Sequence, residues 1–158
     1  MFDTGEFGAD LLADILATTV IRDGIRVDIQ ATPGIAVNGD PENLARAFRN
    51  VIDNAVRHAR HTVRLDATTT PHGVRVVIID DGPGVPVEER ERVFDRFVRL
   101  DASREHASGS TGLGLAITRE IVVAHEGTIV LTDGDGGTQG TQQDDAPGGA
   151  RVVIDLPR

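Results

Sequence analysis

An apolar segment that ends in two acids and a glycine turn decides the fold of this chain: Val74-Arg75-Val76-Val77-Ile78-Ile79-Asp80-Asp81-Gly82-Pro83-Gly84. The run over residues 74–79 predicts a strand, and the Asp-Gly and Pro-Gly pairs predict a sharp break after it. Glycines beside an acid let a ligand approach the backbone closely, with the carboxylate of Asp80 as a hydrogen-bond acceptor. An ordinary turn would produce the same pattern, so this segment alone leaves both interpretations open.

The segments on either side of it show helical or strand periodicity. Helices are predicted over residues 10–20, 41–60, 87–97 and 113–124. Strands are predicted over residues 25–29, 62–69, 73–79, 127–132 and 150–156. Because helices and strands mix without strict βαβ alternation, they predict an α+β fold in which helices cover one face of a mostly antiparallel sheet. Residues 1–8 are predicted to form a leader, residues 9–158 one domain, and residues 133–149 a flexible hairpin extension within it.

The composition excludes several kinds of chemistry. The chain has 158 residues and a net charge of −9, it lacks cysteine, and all of its 16 basic residues are arginine. Without lysine there is no Walker-type phosphate loop, no Schiff-base lysine and no protein-kinase strand lysine. Without cysteine there is no disulfide, thiol nucleophile or thiolate zinc site. The acidic balance argues against direct binding of nucleic acid or of an anionic membrane.

Three polar residues share one face of the helix predicted over residues 41–60. Asn50, Asn54 and His58 recur every four residues, which places them on the same side of a helix. Asparagine is a poor helix former, so two of them on one face suggest a polar task such as oxygen coordination of a hard cation. A solvated helix face explains the same residues equally well.

A glycine-rich segment precedes the last predicted helix, with glycines at positions 109, 112 and 114. Free backbone N–H groups at such a helix start, together with the helix dipole, favour phosphate. A glycine hinge is the alternative interpretation. Upstream, Phe94 and Phe97 are three residues apart beside a polar segment, residues 99–111, that predicts a mobile loop. Two aromatic rings packed into the core would give the same spacing.

Together and in this order, these features resemble the ATP-binding catalytic domain of sensor histidine kinases. The matching segments are residues 50–58 (the N box), 80–84 (the G1 box), 93–99 (the F box), 109–117 (the G2 box) and the last strand, 148–157. The resemblance runs from about residue 10 to residue 158. It implies a two-layer α/β sandwich of the gyrase, Hsp90, histidine kinase and MutL superfamily (a Bergerat-type fold), with the nucleotide between helices and sheet. The implied cofactors are ATP and Mg²⁺.

The resemblance also implies roles for residues of the long helix. Asn54 would be the Mg²⁺ ligand, and Asn50 would support it. Arg57 stands where the family often has lysine, and it would meet phosphate, as would His58.

Further roles are implied at the base and phosphate ends of the nucleotide. Asp80 would accept a hydrogen bond from the adenine amino group, and Gly82 and Gly84 would let the base approach the backbone. Residues 98–111 would form a lid over ATP, in which Arg99 or Arg104 would hold the γ-phosphoryl group. The backbone that binds the cofactor at the end of the lid and just after it would come from four consecutive residues: Thr111, Gly112, Leu113 and Gly114.

Asn50 also distinguishes between related families. Gyrase-type ATPases and anti-sigma serine kinases resemble each other in having a glutamate base at this place, whereas asparagine cannot take a proton. A histidine kinase needs no base there, because a neutral imidazole is already nucleophilic. The resemblance therefore favours phosphoryl transfer to histidine. A gyrase-like ATPase or anti-sigma-type serine kinase is the alternative, and a non-catalytic nucleotide-binding module is the second alternative.

The phosphoacceptor histidine of such a kinase is missing. None of the five histidines lies in a motif that resembles the His-[Glu/Asp]-x-Arg-x-Pro of the family's acceptor hairpin. The expected partner is a histidine-bearing dimerisation domain, supplied by another polypeptide or removed from this chain, with a response regulator acting downstream. We expect a cytoplasmic domain that contacts no membrane itself and associates with one only through a sensor partner.

Overall fold

The computed structural model describes residues 4–6, 14–15, 17–18, 21, 23–97, 113–134 and 149–158. At its centre lies a mixed sheet whose spatial order is β2 (Arg26–Ala31), β4 (Thr62–Thr70), β5 (Gly73–Asp80), β7 (Ala150–Pro157) and β6 (Thr128–Asp133). β2 runs parallel to β4, and every other pair of neighbours in this sheet is antiparallel. Two short strands, β1 (Thr4–Glu6) and β3 (Ala36–Asn38), pair antiparallel with each other.

Two helices pack with this sheet, α1 (Pro41–His58) and α2 (Gly114–Ala124). α1 begins where the sequence provides a cap, because the Asp40 carboxylate accepts hydrogen bonds from the backbone N–H groups of Glu42 at 3.0 Å and Asn43 at 3.2 Å. Pro41 occupies the first turn, where no N–H donor is needed. The buried stripe of α1 consists of Leu44, Ala47, Phe48, Val51, Ile52, Ala55 and Val56. This arrangement confirms the predicted α+β fold.

The two helices run antiparallel against each other. Three hydrogen bonds join them: Asn50 Nδ2 to the Gly114 carbonyl at 3.2 Å, Thr118 Oγ1 to the Ala47 carbonyl at 3.3 Å, and the Asp40 N–H to His125 Nε2 at 3.0 Å. Along these three contacts the residue numbers increase in α2 while they decrease in α1, so the helices are antiparallel. The first residue of α2 therefore lies beside the polar face of α1.

The prediction of a helix over residues 87–97 is wrong. The chain forms two short 3-10 turns there, Val87–Glu89 and Arg92–Phe94. Phe94 is the one buried residue of the two turns, and Phe97, expected beside it, is 73 % exposed with φ at 65°. A helix gains most of its stability from burying an apolar stripe, and one buried ring does not provide such a stripe.

The short strands β1 and β3 were not predicted from the sequence. β1 lies within the predicted leader, and β3 lies between two turn signals, where only Ile35 and Val37 provide a buried alternation. Of the helix predicted over residues 10–20, the structure describes Asp14, Ile15, Ala17 and Thr18, all helical. Residues 98–112 and 135–148, with the predicted lid and most of the predicted extension, lie outside the described residues. Neither α1 nor α2 has the length and apolar character needed to cross a membrane.

The end of α2 contains a residue in an unfavourable backbone conformation. The N–H of Gly127 donates to the Val122 carbonyl at 2.9 Å, and the N–H of Glu126 donates to the Val123 carbonyl at 2.9 Å. These two bonds form a Schellman motif, whose turning residue adopts left-handed geometry and is usually glycine. Here that residue is Glu126, with φ at 58°. A side chain in this region costs about 1 kcal/mol or more.

Replacing this residue by glycine is expected to stabilise the protein. Glu126→Gly removes the left-handed strain, and after the greater chain entropy of glycine is subtracted, the free energy of unfolding should rise by about 0.5–1 kcal/mol. The matched control is Ala124→Gly, two residues earlier in right-handed helix, which should lower it by about 1 kcal/mol. Urea unfolding of both variants checks the sign, and a loss of stability in Glu126→Gly would contradict the assignment.

Candidate nucleotide-binding site

Asp80 is a buried acid at the end of an otherwise apolar strand. It is 6 % exposed, and within the described part of the chain Thr118 is the only other buried polar residue. Its Oδ1 accepts hydrogen bonds from the backbone N–H groups of Gly82 at 2.9 Å and Ala150 at 3.4 Å. Among the described residues, Oδ2 has no hydrogen-bond partner. One oxygen is thus fixed by the fold while the other remains an acceptor for a donor group.

Burial governs the protonation of this carboxyl group. Removal from water raises the pKa of Asp80. The hydrogen bonds from Gly82 and Ala150 and the nearby His58 oppose this rise, while the negative charge of Asp81 adds to it. A ligand that donates a hydrogen bond to the carboxylate would stabilise the charged form that burial disfavours.

The adjacent acid, Asp81, has a different task. Its Oδ1 accepts from the backbone N–H of Arg60 at 2.7 Å, and its two oxygens each lie 3.0 Å from the N–H of His61. Partial burial alone would raise the pKa of Asp81, but the backbone hydrogen bonds from His61, Thr62 and Arg60 together lower it. Asp81 therefore fastens the turn after α1 to the end of β5.

The glycines after these acids meet protein backbone at short range. A Cβ added to Gly82 would lie 2.3 Å from the His58 carbonyl oxygen, so this turn packs against the end of α1 without room for a side chain. Gly84 has φ at +73°, and a Cβ there would lie 2.7 Å from the Gly149 carbonyl oxygen. The tight contacts of these two glycines are thus with α1 and with the start of β7, and their predicted role toward an adenine base stays a prediction.

The polar face of α1, which the spacing of its residues predicts, lies beside the start of α2. Asn50 donates from Nδ2 to the Gly114 carbonyl, which leaves its Oδ1 pointing away from that contact. His58 Nδ1 lies 2.8 Å from the Asn54 carbonyl, and because a carbonyl only accepts, Nδ1 is the donor of this bond and Nε2 takes no part in it. Asn54 is half-buried, and Arg57 is exposed in the last turn.

The structure describes only part of the predicted phosphate side. Arg99, Arg104, Thr111 and Gly112 lie outside the described residues, so their predicted roles stay predictions. Leu113 is half-buried and immediately precedes α2, and Gly114 begins that helix. Within the described ranges, no group of three or more His, Cys, Asp or Glu side chains is arranged to hold a metal ion. A metal here would depend on amide oxygens such as that of Asn54 and on oxygens that a ligand brings.

Sequence reasoning missed two contributors to this region. The backbone N–H of Ala150 binds the buried carboxylate, and no residue type signals such a donor in advance. Arg90 and Asp133 form an ion pair beside the same region, although they are 43 positions apart in the chain. Only the three-dimensional structure brings these groups together.

The two neighbouring acids should respond oppositely to neutralisation. Because the pKa of Asp80 is raised, its carboxylate lowers stability at neutral pH, and Asp80→Asn should be at least as stable as the parent at pH 7. That advantage should shrink as the pH falls toward about 4. Because the pKa of Asp81 is lowered, its charge stabilises the fold at neutral pH, so Asp81→Asn should lose about 1 kcal/mol or more there.

Urea unfolding of both variants at several pH values provides the measurement, with each variant the matched control of the other. The assignment of roles would be wrong if Asp80→Asn lost as much stability at pH 7 as Asp81→Asn.

Comparison with known proteins identifies the family of this domain. The model of the histidine kinase-, DNA gyrase B- and HSP90-like ATPases matches residues 39–158. The sensor histidine kinase CpxA of Escherichia coli K12 is 36 % identical over 120 residues, which cover 75 % of this chain and 24 % of CpxA. The chain thus spans about a quarter of the length of the curated relatives it matches.

Two solved structures extend the comparison. The mycobacterial sensor histidine kinase MprB has a TM-score of 0.75 and 31 % identity, with 94 % of this chain and 91 % of that chain covered. Full-length ShkA, solved in complex with AMPPNP, has a TM-score of 0.75 and 25 % identity, with 99 % and 31 % covered. With the buried acid, the polar helix face and the glycine-rich helix start in the order that the sequence predicts, these matches show that the chain belongs to the histidine kinase-, DNA gyrase B- and HSP90-like ATPase family.

Proposed function

We propose that this chain binds Mg·ATP and acts as the catalytic domain of a two-component sensor histidine kinase. In this role it transfers the γ-phosphoryl group of ATP to a histidine on a separate dimerisation and phosphoacceptor domain. The observation that carries the proposal is the buried Asp80, whose Oδ1 is occupied by two backbone donors and whose Oδ2 has no partner among the described residues.

Asp80 supports adenine as the base. An amino group that donates to Oδ2 would satisfy the one acceptor that the surrounding backbone leaves open, whereas a guanine carbonyl at that place would repel the carboxylate. The neighbouring backbone is held close to the acid, because a Cβ on Gly82 would lie 2.8 Å from Asp80 Oδ1. The AMPPNP complex of the related ShkA supports an adenine nucleotide as the ligand.

The phosphate end would be formed by α1 and α2. Asn54 would supply an oxygen to Mg²⁺, which spreads the charge of the phosphates when bound, and Asn50 would support it. Arg57 and His58 would meet phosphate oxygens from the end of α1. The residues before and at the start of α2, Thr111, Gly112, Leu113 and Gly114, would offer backbone N–H groups, and Arg99 and Arg104 would hold the γ-phosphoryl group.

Asn50 favours transfer to histidine over the alternatives. Its amide donates to the Gly114 carbonyl and has no basic atom, so the side chain at position 50 cannot deprotonate water or a serine hydroxyl. A neutral imidazole attacks phosphorus without such a base. The P–N bond would form as the bond from the γ-phosphorus to the bridging oxygen breaks, with ADP leaving. The chain's own residues orient and stabilise this in-line transfer.

The acceptor histidine would come from outside the described domain. His125 is held by the fold through both ring nitrogens, because Nδ1 lies 2.7 Å from the Ile121 carbonyl and Nε2 accepts from the Asp40 N–H, and none of the five histidines of the chain lies in an acceptor motif. The partner would be a phosphoacceptor domain, in a longer form of this chain or in another polypeptide, and a response regulator would receive the phosphoryl group next. We propose a cytoplasmic location.

Removal of the Asn54 amide should abolish most of the Mg²⁺-dependent part of ATP binding. Asn54→Ala should weaken Mg·ATP at least about tenfold, since it removes the proposed metal ligand, while affinity for adenosine should stay unchanged. Asn43→Ala on the same helix is the matched control, because Asn43 is exposed and about 16 Å away along the axis. Calorimetric titration measures the affinity of both variants. Unchanged Mg²⁺-dependent binding in Asn54→Ala would contradict the role of Asn54 as a metal ligand.

Phosphoryl transfer tests the activity itself. Incubation with radiolabelled γ-ATP and a phosphoacceptor domain should label a histidine on that domain, with the acid lability typical of phosphohistidine. Asp80→Asn should reduce this labelling, and the Arg75→Met variant, at the other end of β5, should not. Sustained ATP hydrolysis without a partner, or acid-stable labelling of serine, would support the gyrase-like or serine kinase alternative instead.

A further inference from the structure

Arg90 makes two contacts that join separate parts of the chain. Its Nε donates to the Val85 carbonyl at 3.1 Å, within the turn that follows Gly84. Its terminal nitrogen donates to the Asp133 carboxylate at the end of β6. The side chain of Arg90 is 19 % exposed, whereas most arginines paired with acids elsewhere in the described chain are 44 % exposed or more. The guanidinium is therefore part of the packed structure and not a solvated surface group.

These contacts belong to a closed ring of interactions around the buried acid. Beyond Asp133, the N–H of Gly134 donates to the Gly149 carbonyl at 3.0 Å, and the next N–H, that of Ala150, donates to Asp80 Oδ1. Gly149 is pressed against the same strand end, since a Cβ there would lie 1.7 Å from the Asp80 carbonyl oxygen. From Asp80 the chain continues directly through residues 81–84 to Val85, which completes the ring.

The ring has one link made only by side chains, the pair Arg90 and Asp133. Two further links join a side chain to the backbone, Arg90 Nε to the Val85 carbonyl and the Ala150 N–H to Asp80 Oδ1, and the remaining links are covalent or are backbone hydrogen bonds. A planar guanidinium can donate to a carbonyl and a carboxylate at once from separate nitrogens, which lysine cannot do in the same geometry. Substitution of this pair therefore opens the ring without changing any group that would touch the nucleotide.

We propose that Arg90 and Asp133 are positioning residues that set the adenine selectivity of the site. They hold the turn after Asp80 and the start of β7 together, so that Oδ1 keeps both backbone donors and Oδ2 keeps its direction. This inference rests on the proposed function, in which Oδ2 accepts from the adenine amino group. It concerns only the base end, because the phosphate end is formed by α1 and α2.

The test measures affinity for adenosine, Mg·ATP and Mg·GTP in the full chain. Arg90→Met keeps the aliphatic stem and loses both donors. It should lower the affinity for adenosine about fivefold, which is the effect of one lost hydrogen bond. The ratio of ATP affinity to GTP affinity should fall by a similar factor. Asp133→Asn, on an exposed aspartate, should show the same effect at about twofold, and the double variant should resemble Arg90→Met alone, because both changes open the same link.

The matched control is Arg75→Met. Arg75 pairs with Asp155 through two hydrogen bonds of 2.7 and 2.9 Å, at the opposite end of β5 and β7 from Asp80. Its loss should leave all three affinities and their ratio unchanged. General destabilisation would lower the melting temperature and weaken ATP and GTP alike, so a fall in affinity with an unchanged ATP to GTP ratio would overturn the positioning role.

Failure of this inference differs from failure of the proposed function. If the parent chain binds adenosine and prefers ATP to GTP, but Arg90→Met and Asp133→Asn retain the same affinities and ratio, the inference is overturned and the proposed function stands. If the parent chain shows no preference for adenine, the proposed hydrogen bond from adenine to Asp80 is wrong, and the positioning role of Arg90 and Asp133 is wrong with it.

Discussion

A carboxylate buried at the end of a hydrophobic strand is the constraint on which the rest of the site depends. A buried charge is costly unless hydrogen bonds compensate it, and Asp80 obtains two from backbone N–H groups of the following turn and of β7. Both donors require the chain to pass very close to the strand end, which explains the glycines at positions 82 and 149. The requirement to hold one acid thus determines the path of the turn after β5 and of the start of β7.

In the proposed site, the groups for the base and the groups for the phosphates come from different elements. The base end is formed by β5, β7 and the turn after Asp80, which the central sheet holds in place. The phosphate end is formed by α1 and α2, whose antiparallel packing places Asn50 against Gly114 at 3.2 Å. Because different elements form the two ends, adenosine tests the base end alone, and Mg·ATP tests both.

Much of the fold was predictable because its signals are local. The cap at Asp40, the apolar stripe of α1 and the run of residues 74–79 each determine their own element, and the order of the polar and glycine-rich segments identified the family. The structure of residues 87–97 could not be predicted. Their spacing is typical of a charged helix and does not indicate that only Phe94 is buried there. β1 and β3 are too short to show any periodicity.

The candidate site was predictable in its side chains and not in its backbone donors. Asp80, Asn50, Asn54 and His58 stand out by residue type and spacing, and the structure places them at the end of β5 and on one face of α1. The N–H of Ala150 and the pair of Arg90 with Asp133 do not stand out, because their role comes from contacts across 70 and 43 positions of the chain. Such contacts depend on the sheet order, which no local pattern specifies.

Comparing the binding of adenosine and purine riboside tests the central claim most directly, since the two nucleosides differ only in the exocyclic amino group. If Asp80 Oδ2 accepts a hydrogen bond from that group, purine riboside loses one charge-assisted hydrogen bond and leaves Oδ2 of the buried carboxylate without a donor. Adenosine should therefore bind at least about tenfold more tightly than purine riboside, which corresponds to about 1.5–3 kcal/mol. Equal affinity for the two nucleosides would contradict it.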